Sequence, residues 1–416
     1  MDKTGYIVSL CASAKEASRA VSKSTTLQRT EILHAIAEGL RKNAASVIAA
    51  NKLDYDAGKE SGLSPAMLDR LLLDEKRMAS LAASVEEIAA LPDPVGRIEN
   101  ITVRPSGIRV GKMRVPVGVV AVIYESRPNV TVDIAALCIK SGNAAVLRGG
   151  KESLHSNKAL YAVIRSSIEK AGFSGDTVRL IDDPDRDLMQ ILLKQNSFID
   201  IVIPRGGENL IRVVSEMSTI PVIKHDKGIC HTFIDKSAER NMAESIAINA
   251  KVQRPGVCNA METLLVHEQY PFAAELFKAL EGKGVQLRGC PRAVSLYKGM
   301  VPAADSDWDT EYLDLILSVR MVSSFEEAAD HIYQHSSGHS EAIVTSDYRF
   351  AERFLREIDS AAVLVNASTR FHDGGEFGLG AEVGISTQKL HARGAMGIEG
   401  LTCQKYIVYG DGQVRK

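Results

Sequence analysis

The alternation of short β-branched runs with helical segments constrains this chain more than any other feature. The runs in its first part are residues 117–124, 144–148, 178–181, 199–203 and 220–223. Helical patterns at residues 132–140 and 157–170 lie between them. A second set of runs comprises residues 231–235, 263–267, 342–345 and 361–365. Such alternation is typical of βαβ units. It predicts an α/β fold with parallel sheets in two halves, which separate near Lys227-Gly228.

Other patterns precede and follow these halves. The first hundred residues are predicted to be helical, and Ser64-Pro65 is a typical helix start. Residues 101–104 and 108–115 flank a Pro-Ser-Gly turn and predict a hairpin. The predicted domains are residues 1–101 with 117–228, and then residues 229–387. Strands in residues 102–116 and 401–416 are expected to pair with another copy, giving a homo-oligomer that is at least a dimer.

Composition excludes several classes of protein. The net charge of −2 and the absence of a lysine–arginine block argue against nucleic-acid binding. The longest apolar run, residues 115–123, is too short to cross a bilayer. No signal-peptide pattern is present, so we expect a cytoplasmic protein whose six scattered cysteines are reduced thiols.

Cys258 is the candidate nucleophile. It follows the predicted Pro255-Gly256 turn and precedes an apolar run that predicts a strand. A turn can place a thiol among backbone N–H groups, and the pKa of a thiol falls near such donors and near cations such as Arg254. The alternative is that Cys258 is a small buried apolar residue, as most cysteines are.

Two glycine pairs predict a nucleotide site. Gly149-Gly150-Lys151 follows the run 144–148, and Gly206-Gly207 follows the run 199–203. Glycines before a helix allow a phosphate to approach the backbone, and the helix N-terminus favours an anion. The usual G-x-G-x-x-G pattern is absent.

Residues 117–151, 253–259 (QRPGVCN) and 322–343 resemble the aldehyde dehydrogenase superfamily. Within it, they are most similar to the branch that reduces L-glutamyl 5-phosphate in proline biosynthesis. The resemblance implies an aldehyde dehydrogenase-like fold and a homo-oligomeric cytoplasmic enzyme. It also implies NADPH as cofactor, L-glutamate 5-semialdehyde and phosphate as products, and a glutamate 5-kinase as a possible partner.

The resemblance also implies roles for individual residues. Cys258 takes the place of the nucleophile, and Asn129 that of the amide that holds the oxyanion. Lys151 stands where the family contacts the adenosine ribose, and Glu311 where it holds the nicotinamide ribose. Gly206 and Gly207 would face the cofactor phosphates.

The charges of Arg148 and Lys151 would suit a 2′-phosphate, which favours NADPH over NADH.

Residues 224–228 depart from the pattern of aldehyde-oxidising relatives. Those enzymes carry a Glu-Leu-Gly-Gly segment whose glutamate activates water, and here His225 stands near the place that this glutamate would occupy. Loss of the carboxylate favours acyl-phosphate reduction, since a water-activating base would hydrolyse the acyl-enzyme. An aldehyde-oxidising dehydrogenase and a non-catalytic member of the same fold are the alternatives.

The candidate substrate-binding residues are Arg127, His225, Arg254, His335 and His339. Either arginine could instead be an ordinary surface residue. His331, His335 and His339 have the spacing of one helix face, but Ser336-Ser337-Gly338 should end the helix first. No metal site is therefore predicted, and substrate contact or a structural role remains open for these histidines.

Overall fold

A computed structural model describes residues 2–225 and 227–415. Its helices are α1 Lys3–Val21, α2 Thr26–Lys42, α3 Ala44–Glu60, α4 Pro65–Leu71, α5 Glu75–Ala90, α6 Asn129–Lys140, α7 Leu154–Lys170, α8 Arg186–Leu192, α9 Glu208–Met217, α10 Arg240–Val252, α11 Ala273–Glu281, α12 Pro291–Leu296, α13 Phe325–His335 and α14 Tyr348–Glu357. Its strands are β1 Ile98–Val103, β2 Arg109–Pro116, β3 Val119–Tyr124, β4 Ala144–Arg148, β5 Val178–Leu180, β6 Ile201–Arg205, β7 Cys230–Ile234, β8 Met261–His267, β9 Gln286–Gly289, β10 Val301–Pro302, β11 Ile316–Val322, β12 Ser340–Val344, β13 Ala362–Val365, β14 Gly384–Ser386, β15 Gly394–Met396 and β16 Thr402–Tyr409.

The chain divides into two compact units. Unit 1 comprises Met1–Lys224, Gly378–Gly384 and Met396–Lys416, and unit 2 comprises His225–Phe377 and Ile385–Ala395. The division lies close to the predicted break after residue 228. Residues 378–384 were expected in the second domain but belong to unit 1. Glu382 there lies 3.8 Å from Arg205 of β6.

Unit 1 is built on a parallel sheet of strand order β5-β4-β3-β6. The direction of strand order reverses at β3, because β4 lies on one side of it and β6 on the other. Such a reversal opens a crevice at the carboxyl ends of the strands. The buried apolar face of α1, which includes Ile7 and Leu10, packs on β3 and β4 in one core cluster.

The predicted run 220–223 forms no strand in the sheet. Val222 makes only an isolated bridge to Val202 of β6, since Pro221 lacks the N–H needed to continue a ladder.

The predicted hairpin and the late run form a separate antiparallel sheet, β1-β2-β16. β16 pairs with β2 along its whole length, from Thr402↔Pro116 to Tyr409↔Arg109. The two outer strands expose large apolar side chains: Ile98, Ile101 and Val103 on β1, and Tyr406, Val408 and Tyr409 on β16.

Unit 2 contains a parallel sheet of strand order β10-β9-β11-β8-β7-β12-β13. The β-branched runs predicted β7, β8, β12 and β13 but not β9 or β11. The central strands β7, β8 and β12 are buried on both faces, as expected for strands covered by crossover helices. Among the described helices, none has both the length and the apolarity that a bilayer span requires.

Candidate active site

Cys258 follows a turn at Pro255-Gly256 and precedes β8, as predicted, and it also lies in a second turn of its own. The Ala260 N–H donates to the Val257 carbonyl at 3.0 Å, so Cys258 is a central residue of that turn. Its side chain is partly exposed, whereas Cys11, Cys138, Cys230 and Cys290 are buried. Partial exposure in a turn is the environment of a reactive thiol rather than of a core residue.

A segment far along the chain fixes this turn. The Asn259 amide donates to the His372 carbonyl at 3.0 Å, and the Thr369 hydroxyl donates to the Asn259 carbonyl at 2.7 Å. The Arg370 guanidinium donates to Asn259 Oδ1 and, at 2.8 Å, to Gln253 Oε1. Asn259 is itself buried, so these bonds hold the residue after the thiol in one position.

Gly228 supports the other side of the turn. A Cβ at this position would lie 2.1 Å from the Cys258 carbonyl oxygen and 2.5 Å from Cys258 Cα. Backbone atoms cannot rotate away as a side chain can, so only glycine fits beneath Cys258.

The imidazoles of His225 and His339 lie near the Cys258 thiol. One ring nitrogen of His225, one of His339 and Cys258 Sγ all lie within 4.8 Å of one another. His225 Nδ1 lies 3.1 Å from the Ile385 carbonyl, which can only accept a hydrogen bond. Neutral His225 therefore carries its proton on Nδ1 and a lone pair on Nε2.

A chain of hydrogen bonds orients His339. The Ala395 N–H donates to His372 Nε2 at 3.1 Å, so neutral His372 carries its proton on Nδ1. That nitrogen lies 2.8 Å from Ser340 Oγ, which in turn lies 2.7 Å from His339 Nδ1. Ser340 Oγ therefore accepts from His372 Nδ1, and its own hydroxyl can donate to His339 Nδ1 when that nitrogen carries no proton. His339 Nε2 has no hydrogen-bond partner in the described part of the chain.

Burial keeps these histidines neutral. It lowers the pKa of His339 well below its ordinary value, and the neighbouring His372 and His225 lower it further. Burial likewise lowers the pKa of His372 to about 4. Burial raises the pKa of the Cys230 thiol, which lies 3.2 Å from the Cys258 carbonyl. Cys230 is thus a neighbour of the site and a poor nucleophile.

The cluster lies at the amino ends of three adjacent strands. Cys258 precedes β8, Gly228 precedes β7 and His339 precedes β12. Ligand sites in open α/β sheets usually lie at carboxyl ends, so the general rule would not have located this one.

One cation, Arg370, interacts electrostatically with Cys258, and a second, Arg254, interacts with Arg370. Burial lowers the pKa of the Arg370 guanidinium, the charge of Arg254 lowers it further, and Cys258 opposes the shift. Arg254 was a predicted substrate contact, and it is exposed. Arg370, His372 and Gly228 were not predicted, because their relation to Cys258 depends on contacts between distant parts of the chain.

His335 is not one of the cluster's members. It ends α13 as predicted, and its Nδ1 lies 2.9 Å from Asp309. Its ring lies 4.5 Å from that of His331. The three spaced histidines therefore do not form one ligand set.

In unit 1, Lys151 follows β4 and is exposed at the start of a short 3₁₀ helix, Lys151–Ser153. A Cβ at Gly149 would lie 2.1 Å from the Asn157 amide, which explains the first glycine of the pair. Glu152 accepts from the N–H and hydroxyl of Ser126 at 2.6 and 2.7 Å, and Ser126 has φ 42°. Glu152 thereby holds the loop after β3 in a strained conformation.

Gly206 and Gly207 lie between β6 and the N-terminus of α9. The Gly207 N–H donates to Glu125 Oε2 at 3.0 Å. A Cβ at Gly206 would lie 2.4 Å from the same oxygen. The Glu125 carboxylate thus lies where a phosphate oxygen would bind at a helix N-terminus.

The contacts of the Arg148 guanidinium differ from the expected contact with the 2′-phosphate of the cofactor. The guanidinium is largely buried, and its Nη2 lies 3.2 Å from the Pro184 carbonyl and 3.3 Å from the Asp185 carbonyl. Burial lowers its pKa, and the charge of Arg186 lowers it further. Arg148 therefore supports the loop after β5, and its contact with a cofactor stays a prediction.

Asn129 begins α6, and its amide nitrogen donates to Asp133 Oδ2 at 2.9 Å. Burial raises the pKa of Asp133 to about 6, although the bond from Asn129 opposes this. Arg127 is half-buried in the loop before α6. The roles expected of Asn129 and Arg127 stay predictions.

Glu311 lies partly exposed in the loop before β11. Glu262 of β8 supports this loop, since it accepts from the Leu313 N–H at 3.2 Å. Glu262 also forms a buried ion pair with Lys251 at 2.5 Å, and burial raises its pKa to about 7.

Comparison with known proteins identifies the family. Residues 5–288 match the model of the aldehyde dehydrogenase family. The gamma-glutamyl phosphate reductase of Moorella thermoacetica is 53% identical over 405 residues, which is 97% of each chain. That of Clostridium tetani is 49% identical over 426 residues and covers 100% of each chain. The chain belongs to the γ-glutamyl phosphate reductases of the aldehyde dehydrogenase family.

Solved structures agree with this assignment. The crystal structure of gamma-glutamyl phosphate reductase from Thermotoga maritima has a TM-score of 0.96 and 42% identity, covering 99% of this chain and 100% of that chain. The predicted resemblance and the α/β aldehyde dehydrogenase-like fold are therefore confirmed. As a γ-glutamyl phosphate reductase, the chain is an oxidoreductase of a family that uses a nicotinamide cofactor.

Proposed function

We propose that this enzyme reduces L-glutamyl 5-phosphate to L-glutamate 5-semialdehyde, with NADPH as reductant and release of phosphate, through a thioester on Cys258. One observation supports the chemistry above all others. A partly exposed thiol lies within 4.8 Å of two imidazole nitrogens, and by resemblance to the family one of these imidazoles, that of His225, stands near the place of the water-activating glutamate.

The neighbours of Cys258 suggest how the thiolate forms. His225 Nε2 bears the lone pair, because Nδ1 donates to the Ile385 carbonyl. Nε2 accepts the thiol proton, and the resulting thiolate attacks the acyl carbon and displaces phosphate. NADPH, when bound, supplies the hydride that reduces the thioester. His225 then returns the proton, and the hemithioacetal releases the aldehyde and the thiol.

Arg254 and Arg370 suit the anionic substrate. Arg370 is oriented by Asn259 and Gln253, and guanidinium groups bind phosphate and carboxylate oxygens in a planar fork. We assign Arg370 and Arg254 to the substrate's anionic groups. We assign oxyanion stabilisation to the Cys258 N–H; the role of Asn129, which the family resemblance implies, stays a prediction.

Aldehyde oxidation on the same fold is the alternative. It requires a base that hydrolyses the thioester, and an imidazole can in principle activate water. The reverse reaction separates the two: glutamate semialdehyde should reduce NADP⁺ only when inorganic phosphate is present. Equal rates without phosphate would support hydrolysis instead.

Lys151→Ala is expected to weaken NADPH binding more than NADH binding. We propose that this exposed lysine at the end of β4 contacts the 2′-phosphate, and loss of one charged hydrogen bond costs about 1–3 kcal/mol. Fluorescence titration of both cofactors tests this, with Lys170→Ala at the other end of α7 as control. Equal weakening of the two cofactors would refute the phosphate contact.

We infer that the β1-β2-β16 sheet is the subunit interface. Its outer strands expose apolar side chains, and an open strand edge is satisfied by pairing with another chain. Removal of residues 402–416 should release monomers, as measured by size-exclusion chromatography with light scattering.

Removal of residues 411–416 is the matched control, because it leaves β16 intact. Tyr406→Asp preserves β16 while placing a charge on its exposed face, and it should also weaken assembly. A protein that stays oligomeric after loss of β16, or is monomeric when intact, would contradict the inference.

A further inference from the structure

The Cys258 cluster contains a set of metal-ligating atoms. Cys258 Sγ and one nitrogen from each of His225 and His339 lie within 4.8 Å of one another. All three residues belong to unit 2. A thiolate with two imidazoles is a donor set typical of Zn²⁺. No metal was predicted here, because the spaced histidines were considered as members of one helix.

The geometry is close to that of a zinc site. Bonds of 2.0–2.3 Å in a tetrahedron place the ligand atoms about 3.5 Å apart. Cys258 and His225 are both only partly buried. Small rotations of their side chains would bring the three ligand atoms to this spacing. Three protein ligands leave a fourth position for water or a phosphate oxygen.

The hydrogen bonding of the two imidazoles also fits a metal site. A metal-bound histidine commonly donates its other N–H to a carbonyl or hydroxyl. His225 does so through Nδ1 to the Ile385 carbonyl, 3.1 Å away. His339 is fully buried, and its Nε2 has no hydrogen-bond partner among the residues described.

Metal binding at His339 Nε2 requires the imidazole proton on Nδ1. Ser340 Oγ lies 2.7 Å from that nitrogen and 2.8 Å from His372 Nδ1. A hydroxyl oxygen has two lone pairs, so Ser340 can accept from both imidazoles. The network therefore accommodates either tautomer of His339.

We propose that Cys258, His225 and His339 bind Zn²⁺ reversibly and that this binding inhibits the enzyme. The thiol loses its proton to solvent as the sulfur–zinc bond forms, and no group is oxidised or reduced. The bound sulfur can no longer attack an acyl carbon. Mg²⁺ and Ca²⁺, which prefer oxygen ligands, should not bind here.

The binding experiment does not depend on turnover. Chelator-treated protein is titrated with Co²⁺ as a spectroscopic probe. The expected result is one equivalent with tetrahedral visible bands and a near-ultraviolet sulfur-to-cobalt band, both displaced by Zn²⁺. Cys258→Ser should abolish the sulfur band, and His225→Gln and His339→Gln should each raise the Zn²⁺ dissociation constant at least ~10-fold.

Controls and the activity assay complete the test. His34→Gln on the exposed face of α2 and Cys403→Ser on β16 should bind Zn²⁺ like the unaltered protein. Zn²⁺ should inhibit phosphate-dependent NADP⁺ reduction, and excess chelator should restore it. Because His339 is buried, the folding of His339→Gln is checked by circular dichroism. If His339→Gln does not fold, the isosteric Cys258→Ser variant provides the deciding result. No sulfur-to-cobalt band, or one that persists in Cys258→Ser, would overturn the proposal whether or not the enzyme has the proposed activity.

Discussion

Cys258→Ser is expected to abolish turnover while leaving the fold and cofactor binding intact. Removal of an enzyme's nucleophile typically lowers kcat by roughly 10⁴–10⁶-fold. A serine hydroxyl at this position has a far higher pKa than a thiol, so an imidazole such as His225 would leave it protonated. Steady-state assays of the reverse reaction, with thermal melting and NADPH titration, measure the three properties.

Two other cysteines serve as controls for this variant. Cys230→Ser retains an O–H that can donate to the Cys258 carbonyl, now contacted by Cys230 Sγ at 3.2 Å, and it should keep most activity. Cys403→Ser changes an exposed thiol and should be neutral. Activity above about 1% in Cys258→Ser, a level far from the loss expected on removing a nucleophile, would disprove its assignment.

Local patterns predicted much of the fold. The buried runs of β3, β4 and β6 and the helices α6 and α7 follow from short-range periodicity, which is a property of neighbouring residues. Neither β9 nor β11 was identified. Gln286 and Arg288 interrupt the apolar character of β9, and Ser318 and Arg320 that of β11. Their pairing partners, rather than their own composition, make them strands.

The candidate site was only partly predictable for a related reason. The sequence indicates Cys258 by a turn followed by a strand, and the family resemblance indicates His225 and His339 as candidate site residues. The support from Arg370 and His372 comes from more than a hundred residues away, and no local pattern encodes such a contact. Similarly, the sequence shows a cation at the end of β4 but not that the Arg148 guanidinium faces two backbone carbonyls.

Gly228→Ala should impair catalysis strongly although it adds a single methyl group. The new Cβ would lie 2.1 Å from the Cys258 carbonyl oxygen, so the backbone at residue 228 or 258 must move. A displacement of about 1 Å at a reacting group can cost roughly 10²-fold in rate, and we expect a loss of that size in kcat. Forcing a methyl group into a packed site should also cost about 1–3 kcal/mol in the free energy of unfolding.

Gly256→Ala, two residues before Cys258 in the loop between α10 and β8, provides the matched control. Its Cβ would meet only the Leu313 carbonyl oxygen at 3.7 Å, an ordinary van der Waals distance, so most activity should remain. The rate of Cys258 alkylation by iodoacetamide, followed against pH, separates a displaced thiol from a protein that is merely less stable. If Gly228→Ala lowers the melting temperature but retains normal kcat and normal alkylation, close packing of Gly228 against Cys258 contributes to stability and not to catalysis.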